Sequence, residues 1–256
     1  MKLAISGKGG VGKSTVAAAL ALLLARSGSR VLAVDADPDA NLASALGVSA
    51  EERRRIVPIS RQVALVEERT GAKVKQYGQM FKLNPQVSDI ADSYATVHKG
   101  VALIVLGAIV KGGGGCACPE SVLVKALVAD LVLHRNEALV MDMEAGIEHL
   151  GRGTAQGVDA MLVVVEPGQR AVDCAMSVVK LCKDLKIKKI YAVANKITCP
   201  GDEQFVRNSL GDLHLLACVP YAESIRRSDM EGKSVLEGLD LKTTALFEDI
   251  LEQVKT

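Results

Sequence analysis

GKGGVGKST, residues 7–15, is the stretch from which the rest of the chain can be read. It matches the spacing G-x-x-x-x-G-K-[ST], follows the apolar run KLAIS and opens STVAAALALLLARSG, a segment of strong helix formers. Strand, glycine loop and helix in that order are what a phosphate-binding loop requires. Glycines let successive backbone N–H groups wrap an anion, and the helix N-terminus adds partial positive charge. Gly7, Gly9, Gly10, Val11 and Gly12 supply that cradle. Lys13 is expected to reach the β- and γ-phosphates of a nucleotide, Ser14 to ligate Mg²⁺ and Thr15 to contact the α-phosphate. One lysine suffices for such a loop, and Lys8 is a second. It reads either as a solvated loop lysine or as one aimed across an interface, at phosphates bound to a second copy of the chain.

Outward from the loop, short β-branched runs alternate with longer helical patterns. KLAIS, RVLAVD, ALIVLG, ALVMD, AMLVVVE, IYAVAN and HLLACV are continuously apolar rather than alternating, as strands covered on both faces should be. Between them lie helical segments such as ESVLVKALVADLVLHR and RAVDCAMSVVKLCKDL, and an amphipathic stretch at 239–254 closes the chain. The pattern predicts an α/β fold: one doubly wound, mostly parallel β-sheet flanked by helices, with right-handed crossovers. Residues 51–99 fit least well. They begin with a charged helical stretch, EERRRIVPISRQVALVEERTG, and are read as an insertion within one domain spanning 1–256.

The chain has 256 residues, 49% of them hydrophobic, with a net charge of +1 and 3% aromatic residues. Near-neutral charge argues against a nucleic-acid coat or a polybasic membrane binder, and few aromatics leave little for base stacking. The longest apolar runs are too short for a membrane span, and the N-terminus lacks a signal-peptide core, so a cytoplasmic location is expected. Cys174, Cys182, Cys199 and Cys218 are scattered and read as small buried hydrophobes. Cys116 and Cys118 differ. They sit in KGGGGCACPE, after four glycines and before a proline, and paired thiols in a reducing compartment point to metal or redox chemistry.

KGGVGKST with its second lysine resembles the deviant Walker A family, which includes the MinD and ParA ATPases and the nitrogenase iron protein. The resemblance implies P-loop NTPase folding, ATP hydrolysis and a nucleotide-sandwich homodimer in which Lys8 crosses the interface. DADPDAN, residues 35–41, is similar to switch I, where Asp37 would orient the attacking water. ALVMDMEAGIEH resembles the Walker B strand and switch II, with Asp142 holding Mg²⁺ through water and Gly146 sensing the γ-phosphate. VANK, residues 193–196, stands where the family places an adenine-reading asparagine, here Asn195, followed by Lys196.

Branches of the family differ in what they switch. The tail LDLKTTALFEDILEQVKT has more acids than bases, unlike the basic membrane helix of MinD-type proteins, and no basic patch of the ParA sort stands out. The iron protein has a cluster cysteine seven residues after its Walker B aspartate, where this chain has His149. The combination of C-x-C with VMDMEAGIEHL and FKLNP resembles the CooC-type nickel-insertion ATPases of carbon monoxide dehydrogenase maturation, with the acetyl-CoA synthase maturation ATPase AcsF as a close relative. That resemblance implies a metal, Ni²⁺ or Zn²⁺, held by Cys116 and Cys118 at the dimer interface, and one of those two enzymes as client. Coordination chemistry agrees: two thiolates fill half of a four-donor shell, and a two-fold axis supplies the rest. A MinD/ParA-type positioning ATPase and an iron-protein-like electron donor are the competing readings. His98, His134 and His149 are expected to have ordinary surface or core roles.

Overall fold

The computed structural model describes residues 1–74, 76, 78–107, 118–146 and 150–255. Eight strands form one sheet: β1 Lys2–Gly7, β2 Val31–Ala36, β3 Thr96–His98, β4 Val101–Val105, β5 Ala138–Met143, β6 Ala160–Val165, β7 Ile190–Ile197 and β8 Leu215–Pro220. Their spatial order is β3-β4-β2-β5-β1-β6-β7-β8. All neighbours are parallel except β3 and β4. The strand order runs outward in both directions from the centre, so the connections diverge around β1. In open α/β sheets that divergence places ligands at the carboxyl ends of the central strands.

All seven expected strands form, and their continuous apolarity has the expected cause: β2 and β6 are buried at every position. Helix Lys13–Arg26 is buried from Val16 to Leu24 because β-strands lie on one side and helix Leu241–Lys255 on another. Helix Gln169–Asp184 packs on β6 and β1 and against helix Pro200–Leu210.

The insertion departs from its reading. The charged stretch is not one helix. A capping box between Ser49 and Glu52 starts helix Ala50–Arg55, which stops before Pro58; a 3₁₀ turn at Ile59–Arg61 and helix Val63–Thr70 follow. Proline disfavours helical backbone in the residue before it, and that ends the first helix. Leu65, Val66, Val87 and Ile90 from this region join the same hydrophobic core as the sheet. The region also contributes β3, an edge strand the sequence reading missed. Of the four scattered cysteines only Cys182 is buried; Cys174 and Cys218 are half-buried, and Cys199 is exposed at the start of helix Pro200–Leu210. Among the described residues no helix is long and apolar enough to cross a membrane.

Candidate functional site

The loop between β1 and helix Lys13–Arg26 turns on Gly12, which caps the helix at φ 96° with no side-chain acceptor for the first helical N–H groups. A Cβ at Gly12 would lie 2.2 Å from the Asn195 amide nitrogen, so both backbone conformation and space demand glycine there. Around the loop, at the carboxyl edge of the sheet, a cleft of about 820 Å³ is lined by Gly7, Gly9, Gly10, Gly12, Lys13, Ser14 and Thr15. Asp37 and Asp39 after β2, Glu144 after β5, Asn195 and Lys196 from β7, and Tyr221 and Arg226 after β8 complete it. Of the sequence-predicted residues, Gly7, Gly9, Gly10, Gly12, Lys13, Ser14, Thr15, Asp37, Asn195 and Lys196 line this one cavity. A second cleft of about 830 Å³, among Met1, Asp159, Lys186, Lys188, Lys189 and Lys255, contains none of them.

Lys13 is only 7% exposed, and its Nζ lies 3.2 Å from Asp37 Oδ2, itself 16% exposed. A lysine that far out of water needs a counter-charge, and Asp37 supplies it. Asp37 is held for this role: its Oδ1 accepts from the Asp39 N–H at 3.0 Å, while its own N–H donates to Asp35 Oδ1 at 3.3 Å. The residue expected to meet the phosphates is thus paired with the residue expected to orient the attacking water.

Beneath them lies a pair of fully buried carboxylates. Asp35 on β2 stands in register with Asp142 on β5. Burial, reinforced by the Asp142 charge, pushes Asp35 up to about 7, against hydrogen bonds from the Leu42 and Asp37 N–H groups. Burial also pushes Asp142 up to about 6, opposed by the nearby Ser14 hydroxyl and the Lys13 charge. Neither Asp142 oxygen has a partner of hydrogen-bonding geometry among the described residues, so the Ser14 hydroxyl is near but does not satisfy it. A buried carboxylate with no donor calls for a cation. Asp142, Ser14 and Asp35 offer an all-oxygen donor set, which fits a Mg²⁺ that keeps several of its waters. Asp35 was legible only as the first letter of DADPDAN; its signal was an acid one residue from the end of a wholly buried strand that is otherwise apolar.

The remaining predicted residues are placed as follows. Lys8 is half-buried and, among the described residues, makes no ion pair and does not line the cleft. Gly146 is exposed just beyond β5, and the Ser6 hydroxyl donates to the Glu144 carbonyl at 2.9 Å, tying that segment to β1. Asn195 is buried, and Lys196 pairs with Glu166 at 3.0 Å. Cys118 is half-buried and caps helix Pro119–His134, its Sγ 2.9 Å from Ser121 Oγ. Cys116, the four glycines before it and His149 lie outside the described residues. Among those described, no group of three or more His, Cys, Asp or Glu is arranged to hold a metal. His134 is exposed beside Asp130, an ordinary surface position, and His98 is half-buried on β3.

A glycine-rich loop at a helix N-terminus, a paired lysine and switch acid, and a buried orphan carboxylate at the divergence point of a parallel sheet define a P-loop nucleotide-binding ATPase. The family model for the CobQ/CobB/MinD/ParA nucleotide binding domain, CbiA, matches residues 2–235, and the chain belongs to that family. The carbon monoxide dehydrogenase accessory protein CooC of Rhodospirillum rubrum is 43% identical over 99% of this chain and 97% of its own. An uncharacterized ATP-binding protein of Methanocaldococcus jannaschii is 42% identical over the same shares. Among solved structures, the MinD cell division protein of Aquifex aeolicus superposes with a TM-score of 0.69 at 18% identity, covering 100% of this chain and 98% of that one. At that identity the likeness shows the fold.

Proposed function

We propose that this chain is an ATP-driven accessory protein of nickel-enzyme maturation. Two copies close around nucleotide, with Lys8 of each reaching the other's phosphates. Cys116 and Cys118 of both copies hold one metal ion as cargo, Ni²⁺ or Zn²⁺, destined for carbon monoxide dehydrogenase or acetyl-CoA synthase. The full-length similarity to an accessory protein for the first of these enzymes supports the client class. The observation that carries the reading is the position of Cys118. The strand preceding its loop, β4, is in register with β2 so that Val105 stands beside Asp35. Cys118 then starts the helix that runs back toward β5, so the described residues on either side of 108–117 stand at the edge of the sheet that carries the nucleotide cleft. Nucleotide state and thiolate geometry can be coupled through that shared edge.

Within the site, Lys13 and the loop amides take the phosphates, Thr15 the α-phosphate, and Gly146 senses the γ-phosphate. Asp37 leaves Lys13 to orient water. Mg²⁺ held by Ser14 and Asp142 would neutralise phosphate charge. Soft thiolates suit Ni²⁺, Zn²⁺ and Cu⁺, so cargo identity is set by delivery rather than by affinity alone.

The test is metal content and native mass of the same samples, for the wild type and for a variant with both Cys116 and Cys118 changed to alanine, with ADP and with ATP. The wild type should hold one metal per dimer in a nucleotide-dependent way, and the variant should bind ATP but no metal. Metal retained by the variant, or held equally by lone wild-type subunits with and without ATP, overturns the proposal. A brown colour in protein purified without oxygen would instead identify a bridging iron–sulfur cluster and an electron donor.

A further inference from the structure

We infer that the amino edge of the sheet carries a cationic groove that seats an extended acidic segment of a protein partner. Two clefts lie on that edge, away from the nucleotide site. The first, of about 830 Å³, is lined by Lys186, Lys188 and Lys189 and by the buried Val158 and Val254. The second, of about 560 Å³, is lined by Arg30, Arg135 and Glu137. They share Met1 and Lys255, so they adjoin. Arg30 precedes β2 and Lys189 precedes β7, and the order β2-β5-β1-β6-β7 puts four strand spacings between them. At about 4.8 Å per spacing the groove runs about 19 Å, the reach of about six residues of extended chain.

Charge decides what kind of chain fits. The carboxylates lining the two clefts are already engaged. Asp159 accepts from the Lys2 N–H at 2.7 Å, and Glu137 accepts from Arg135 at 2.8 Å and lies 3.4 Å from Arg30. Lys186 and Lys188, both exposed, and the half-buried Lys189 make no ion pair among the described residues. Lys186 also stands where lysine is costly. Helix Gln169–Asp184 ends in a turn closed by the Lys186 N–H on the Lys183 carbonyl and the Ile187 N–H on the Cys182 carbonyl, with Lys186 at φ 62°. Glycine is the usual residue at that position, and a side chain there carries strain. The fold gains nothing from lysine in that place, whereas a carboxylate brought by a partner does. Among the described residues no aromatic side chain lines either cleft, which leaves nucleobases nothing to stack on. Apolar residues between acids have Val158 and Val254 to lie on, and lysine ammonium groups are mobile point charges that meet carboxylates without a fixed geometry. A partner held on this edge leaves the phosphate loop on the opposite edge free.

The probe is a fluorescently labelled peptide of about ten residues, glutamates with leucine at every third position, titrated by anisotropy into the full chain at low salt. Its comparisons are the same peptide with glutamine for glutamate, triglutamate as a competitor, and a single-stranded DNA of similar length. The wild type should bind the acidic peptide and hold the glutamine peptide and triglutamate at least about tenfold more weakly. Lys186→Gly removes one charge and relieves the left-handed strain, so it should melt no lower than the wild type yet bind the peptide about threefold more weakly. Adding Lys188→Gln should bring the loss to about tenfold. Arg30→Gln, at the other end of the groove and 83% exposed, should cost about threefold. Changing Lys73 and Lys82 to glutamine makes the same change in net charge on exposed lysines outside the groove, and should leave binding unchanged. Wild-type protein that ignores the peptide overturns the inference, as does an equal loss in the Lys73 and Lys82 control, which would report net charge alone. Triglutamate that binds as tightly as the long peptide would reduce the groove to a small-anion site. DNA that binds more tightly than the peptide, with the same sensitivity to Lys186 and Lys188, would make the occupant a nucleic acid. Either result sinks the proposal.

Discussion

At the scale of single residues, the 3.2 Å pair between Lys13 and Asp37 has a direct consequence for affinity. A phosphate arriving at Lys13 competes with a carboxylate already there, so part of its binding free energy goes into releasing Asp37. Asp37→Asn should therefore bind nucleotide a few-fold more tightly while hydrolysing it about 10²-fold more slowly, since a positioned base or water-orienting group contributes that order of rate. Equilibrium binding and single-turnover hydrolysis on the same variant check this; weaker binding would show that the pair does not compete with phosphate. The buried acids give a second expectation. Asp35 ionises near 3.8 in an unfolded chain but is held protonated to about 7 in the nucleotide-free fold, chiefly by burial. Between those values the folded state carries the extra proton, so stability is greatest at the acid end and declines as pH rises toward 7. Denaturation of nucleotide-free protein across that range should show the decline, and Asp35→Asn should make it shallower, with Asp142, raised to about 6, carrying the rest. Lys13, Ser14, Asp37 and Asp142 were readable because their spacing is tied to the loop and the strand ends. Asp35 was not, because its importance comes from Asp142 on the adjacent strand.

At the scale of elements, the parallel strands were legible because burial on both faces demands unbroken apolar runs, which β-branched residues fill. The edge strand β3 carried no such mark. It is three residues long, half exposed and joined to β4 through Lys99 at φ 47° and Gly100 at φ 81°. A two-residue turn with both φ values positive is signalled by Asn-Gly or Asp-Gly, and lysine in the first place conceals it. Tertiary contact also decides the junction after helix Leu42–Ala45. Gly47 takes φ 86°, and a Cβ there would sit 2.6 Å from the backbone nitrogen of Ser234. Ser234 in turn accepts a hydrogen bond from Lys99 Nζ through its hydroxyl at 3.1 Å, so the turn after helix Leu42–Ala45, the β3–β4 turn and the chain's last third meet at one point. Gly47→Ala adds both a strained conformation and a backbone clash, and should cost about 2–4 kcal/mol. Urea denaturation measures it. A change under about 0.5 kcal/mol, typical of surface sites, would mean the junction yields freely.

At the scale of the whole molecule, the question is whether one chain is a complete machine. Its nucleotide cleft is lined by Lys13, Ser14, Thr15 and Asp37, yet Lys8 stays outside that cleft, half-buried and without an ion pair among the described residues. Under the proposed function, this lysine meets the phosphates bound to a second copy. The proposed metal site has the same character, since two sulfurs from one copy would leave half of a tetrahedral shell open. Lys8→Ala should keep MgATP affinity in the monomer within about twofold, because Lys13 and the loop amides remain, while the ATP-dependent dimer weakens by about 10²-fold or more, as expected for removing a buried cross-interface charge contact. Sedimentation equilibrium with a non-hydrolysable ATP analogue reads the second quantity and calorimetry the first. Hydrolysis should fall in step with dimer population rather than with nucleotide occupancy. If Lys8→Ala dimerises as the wild type does, the proposed cross-interface role of the lysine falls.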